Sequence, residues 1–167
     1  MKNLLDIIIY IFRNYPKVEE LSKPRLVKLI YLIDWKHTID FGKQATPIYW
    51  YFNHYGPYVD TVIDLIKAND KIFDVKSTVN AYGGVSDKIK LISTEQVVVD
   101  ESIKQAADFI IMNTSDKNWS EFINLVYSTF PIKTNSKYSY LNLTEDAVKF
   151  KHYHQQAFGP MEGEMVK

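Results

Sequence analysis

Apolar positions follow helical spacing along most of the chain and switch to alternation in its middle. Leu4, Ile7, Ile8 and Ile11 share one face, which predicts a first helix over residues 3–13, closed before Pro16. The stretch SKPRLVKLIYLIDWKHTIDFG carries the second helix. Ser22 is its N-cap, Pro24 falls in the first turn where a missing N–H costs nothing, and Gly42 is a natural stop. Leu26, Leu29, Ile30 and Ile33 make one stripe, which Tyr31, Leu32 and Trp35 widen until little of the circumference is polar. Such a helix belongs at the centre of a core.

Residues 47–53, rich in aromatics, predict a strand. GPYVDTVIDLIKAND then restarts a helix at Pro57, with Val59, Val62, Ile63 and Ile66 inward, Asp60 in the first turn and Asn69 at the end. Phe73, Val75 and Val79 alternate, Gly83-Gly84 interrupts, and Ile89 and Leu91 resume, which predicts a β-hairpin near 72–92. Ile103, Ala106, Ala107 and Ile110 mark a helix from about Asp100. Asn118 and Glu121 have capping-box spacing before Phe122, Ile123 and Val126, in a helix ended by Pro131. A weakly patterned helix runs from about Thr144 to Ala157, and the tail FGPMEGEMVK is expected to be mobile. The sum is an α+β fold: a mainly helical single domain with a small antiparallel β-sheet.

Composition narrows the function classes. The 167 residues fit one domain, and 20 Lys and Arg balance 20 Asp and Glu. Zero net charge argues against nucleic acid as the main partner, which a positive field would have to attract. With no cysteine, disulfides, thiolate catalysis and Cys-type zinc sites are excluded. The N-terminus resembles a signal peptide only superficially, because Asp6 interrupts its apolar stretch and no small-residue cleavage site follows. No apolar run approaches the roughly 20 residues of a membrane span. The expectation is a cytoplasmic protein without a membrane partner.

Candidate chemistry is sparse. His37 lies three residues from Asp34 and from Asp40, and with His54 could build a metal or acid–base site; equally, the three could form a polar helix edge. His152 and His154 make a weaker pair. The chain has no G-x-S-x-G elbow and no glycine-rich phosphate loop, so no catalytic residue and no cofactor is assigned. The block YWYFNHYGPY, beside Lys36, His37 and Lys43, could stack on bases, but aromatics at strand positions more often bury area in a core. Alternation sends Tyr49 and Tyr51 one way and Trp50 and Phe52 the other, without saying which pair faces out.

The order of motifs says more. PRLVKLIYLIDWKH, then Gly42, then an aromatic strand closing in HYGPYVDTVIDLI, resembles the Panacea (SocA-like antitoxin) domain. Lys28, Leu29, Tyr31, Leu32, Asp34 and Trp35 match its first block, Tyr55, Gly56 and Pro57 its second, and SEFINLVYSTFPI with Pro131 a looser third. Ile33 departs from the family's small residue, Tyr127 from its frequent His and Ile132 from its frequent Trp. The resemblance covers roughly residues 1–135; we divide the chain into a domain over 1–145 and a C-terminal helix and tail over 146–167.

What the resemblance implies is a non-enzymatic antitoxin, encoded beside a cognate toxin, often on phages, that neutralises it by direct protein–protein binding. The alternative within the family is an adaptor delivering its partner to an AAA+ protease. A small hydrolase or metal protein using His37 and His54 stands as a further alternative. The signature residues carry structural roles: Gly56 and Pro57 set a helix start, and Lys28 snorkels or pairs with a carboxylate such as Asp34. Tyr49, Tyr51, Tyr58 and Tyr82 are the candidate partner contacts.

Overall fold

The computed structural model describes residues 2–159, and the end of the tail expected to be mobile lies outside them. Among the described residues the helices are α1 (Lys2–Asn14), α2 (Lys23–Phe41), α3 (Thr61–Lys67), α4 (Glu101–Thr114), α5 (Trp119–Ser128), α6 (Phe130–Thr134) and α7 (Leu143–Phe158), with a 3₁₀ turn at Val18–Glu20. Two separate antiparallel pairs complete the α+β fold: β1 (Tyr51–Asn53) with β2 (Gly56–Tyr58), and β3 (Phe73–Val79) with β4 (Val85–Leu91).

Helix α2 is the axis of the molecule. Its start is capped by the Ser22 hydroxyl, which accepts from Arg25 N–H at 3.3 Å, and it stops at Gly42, whose φ of 74° is left-handed. Thirteen of its residues are buried, from Arg25 to Thr38, because neighbours surround it: α4 and α7 pack along it, and β2 touches its first half. Helix α1 lays Leu4, Ile7, Ile8 and Ile11 into the same core, and Phe12 meets Phe73 of the hairpin at 5.5 Å.

Three expectations are corrected. The strand over 47–53 shrinks to Tyr51–Asn53, since residues 47–50 make no ladder with β2. Pro57 does not open a helix. It lies in β2 opposite Phe52, where its missing N–H leaves no gap at this short pair, and the helix waits until Thr61 with Asp60 just before it. Pro131 does not end α5 either: the helix stops at Ser128, Thr129 is extended, and Pro131 stands in the first turn of α6.

The Asn118 capping box is present in full, with Glu121 N–H donating to the Asn118 side chain at 3.0 Å and Asn118 N–H donating to the Glu121 carboxylate at 2.9 Å. Asn118→Ala removes one half of it and should lower stability by about 1 kcal/mol in urea unfolding, with an unchanged m-value.

Candidate functional site

Asp34 is fully buried on α2 and ties the following loop to the helix. Its carboxylate accepts from Thr46 N–H at 2.8 Å, Thr46 hydroxyl at 2.5 Å, Trp50 Nε1 at 2.8 Å and Gln44 Nε2 at 3.3 Å. Burial pushes its pKa up to about 6, and these four donors hold it from rising further. The expected Lys28–Asp34 pairing does not form, because all this acceptor capacity goes to the 44–50 loop.

The other signature side chains extend the same framework. Tyr31 sets its ring edge-on to Trp50 at 5.5 Å and joins its hydroxyl to Thr129 at 2.8 Å, which anchors the corner before Pro131. Leu32 is buried, and Trp35 packs on Phe150 of α7 at 5.7 Å. Gly56 has φ of 95°, a conformation L side chains avoid, and a Cβ there would lie 3.6 Å from Lys28 Cε and 3.7 Å from the Tyr127 hydroxyl. Lys28 is buried in this corner, and loss of water lowers its pKa to about 8.

The block YWYFNHYGPY splits by alternation into an inner and an outer face. Trp50 and Phe52 are buried, whereas Tyr49 is 85% exposed. Residues 139–141 run antiparallel along β1: Phe52 N–H donates to Ser139 carbonyl at 2.8 Å, and Leu141 N–H to Trp50 carbonyl at 2.8 Å. Tyr51 thus has Tyr58 opposite on β2 and Tyr140 opposite on the other side, with the Tyr51 and Tyr140 rings 5.2 Å apart. His54 bonds the Tyr138 hydroxyl at 3.1 Å and stacks edge-on with Tyr55, which is 77% exposed. The result is a tyrosine face around the β1–β2 pair, on a backbone-bonded support.

Three of the four candidate contacts, Tyr49, Tyr51 and Tyr58, fall on this face. Tyr58 is half-buried, its hydroxyl donating to Asp60 at 2.7 Å, and burial raises its pKa to about 12. Tyr82 stands apart, 98% exposed at the β3–β4 tip. Sequence reasoning passed over Tyr138 and Tyr140: Tyr140 joins β1 by a single bridge to Tyr51, and Tyr138 stands in the preceding turn with a left-handed φ of 65°. The histidines do not converge. His37 is buried between Lys43 carbonyl at 2.6 Å and Ser102 hydroxyl at 3.0 Å, Asp40 pairs with Lys36 at 2.9 Å, and His54 belongs to the tyrosine face. Among the described residues no three His, Asp or Glu side chains gather where they could hold a metal ion.

Fold and site define a mainly helical α+β domain whose most distinctive exposed feature is an aromatic surface. The chain matches the family model of the antitoxin SocA-like Panacea domain over residues 26–131, and it belongs to that family. No curated protein and no solved structure matches it. Among the described residues no helix is long and apolar enough to cross a membrane.

Asp34→Asn presents an NH₂ group to donors and should cost about 2–4 kcal/mol, read by chemical denaturation. Because the folded pKa of Asp34, about 6, exceeds the free value of 3.8, the folded state binds this proton more tightly. Its contribution to stability is fully present below the free value and fades as pH rises through about 6, a loss of about 1 kcal/mol between pH 5 and 7. A ¹³C carboxyl titration of the wild type checks this; a midpoint below 4.5 contradicts it.

Proposed function

We propose that this chain is an antitoxin that neutralises a cognate toxin by direct binding, and that the tyrosine face is the surface it uses. The observation that carries the assignment of the surface is the concentration of exposed Tyr49, Tyr55, Tyr138 and Tyr140 on one rigid support. Tyrosine offers large contact area and a hydrogen-bonding tip while losing little side-chain freedom, which is why it recurs at binding hot spots. The support is already ordered by strand hydrogen bonds and by Trp50 beneath, so little entropy remains to be lost on association. Family membership supplies the class of partner, a protein. The signature blocks supply the scaffold.

The test is co-expression with the product of the adjacent gene. That product alone should arrest growth, and this chain should restore growth and co-purify with it. A harmless neighbour, or no complex on purification, would overturn the proposal. Accelerated turnover of the neighbour in place of a lasting complex would point to delivery to an AAA+ protease. Tyr49→Ala with Tyr140→Ala should weaken the complex at least about tenfold in a titration while leaving the melting temperature of the free protein unchanged.

A further inference from the structure

Lys28 is out of keeping with every other buried charge of α2. It is 3% exposed, flanked by Val27 and Leu29, which are fully buried. Arg25 is satisfied by the Tyr15 hydroxyl at 3.0 Å and the Lys117 carbonyl, and Asp34 by its four donors. Lys28 has no ion pair and no hydrogen bond among the described residues, and no acidic group there acts on it. Its stem is buried while its Nζ still touches solvent, and this partial loss of water costs the free protein some stability that methionine at the same position would not.

A second donor waits beside it. The Tyr127 hydroxyl, from α5, has no partner among the described residues, and loss of water is the cause of its raised pKa. The end of the Lys28 stem and this hydroxyl lie 3.6 and 3.7 Å from one point, the place a Cβ would occupy on Gly56. The glycine keeps that point open. Two unpaired donors, one cationic and one neutral, match the two oxygens of a carboxylate. Gly56 is two residues from Tyr58 on β2, so the corner adjoins the tyrosine face. We propose that Lys28 and Tyr127 form a socket for one Asp or Glu side chain of the protein bound over that face.

This proposal rests on the antitoxin assignment for the source of the carboxylate, but its chemistry can be tested without the partner. In the full chain, with ¹³C-labelled lysine and Lys28 assigned through Lys28→Met, sodium acetate is titrated against sodium chloride at equal ionic strength. The Lys28 resonance should shift saturably with acetate, and Tyr127→Phe should weaken that binding several-fold. No shift beyond that with chloride, or tighter binding of inorganic phosphate than of acetate, overturns the socket. Lys28→Met should keep or raise the melting temperature; a fall of several degrees would make the lysine a structural support and also overturns it. In the co-expression assay Lys28→Met should bind the partner at least about tenfold more weakly, the loss expected for one charge-assisted hydrogen bond. Equal binding by wild type and Lys28→Met sinks the socket and leaves the antitoxin assignment standing. Acetate binding at Lys28 in a wild type that neutralises nothing sinks the antitoxin assignment and supports the anion site.

Discussion

The buried carboxylate of Asp34 is the constraint on which the rest of the molecule depends. A carboxylate without a counter-ion in the core has to collect donors, and it collects them from one loop, at Gln44, Thr46 and Trp50. Those bonds turn a segment with no ladder of its own into a defined path. Trp50 is thereby held against Tyr31, and Tyr31 in turn holds Thr129 at the corner between α5 and α6. One acidic side chain on the central helix thus helps to fix β1, the segment bridged to it and the corner between α5 and α6.

This arrangement explains what could be read in the chain and what could not. The helices were legible because their signals are local: Ser22 and Gly42 bracket α2, Asn118 and Glu121 open α5, and the apolar stripes have the right period. The hairpin was legible for the same reason, with Gly83 at φ of 79° in its turn. Pro57 misled because X-Gly-Pro opens helices as readily as it closes a tight strand pair, and only the tertiary pairing with Phe52 decides. Pro131 misled in the opposite sense, starting a short helix where a stop was expected. Tyr138 and Tyr140 were overlooked because they belong to no strand of their own; a single bridge from Tyr140 to Tyr51, nearly ninety positions earlier, brings them to β1. Lys28 was legible as an oddity on an apolar helix. Its lack of a carboxylate could not be, since every acid had to be placed first.

The signature residues and the exposed ones divide the labour. Asp34, Tyr31 and Trp35 face inward and maintain the frame, while alternation through Trp50 and Phe52 turns their neighbours Tyr49 and Tyr51 the other way. A motif search therefore finds the frame, and the exposed tyrosines follow only by register from it. Gly56 belongs to both, closing the strand pair and keeping the Lys28 corner open.

The β3–β4 hairpin has a consequence of a different kind. Phe73 ties its base to Phe12, but every residue from Lys76 through Ser86 is exposed. Outside the turn residues Asn80, Gly83 and Gly84, substitutions in that stretch disturb no packed neighbour, so mutational drift at those positions is nearly neutral for folding. A lineage can reshape the finger while its body stays intact.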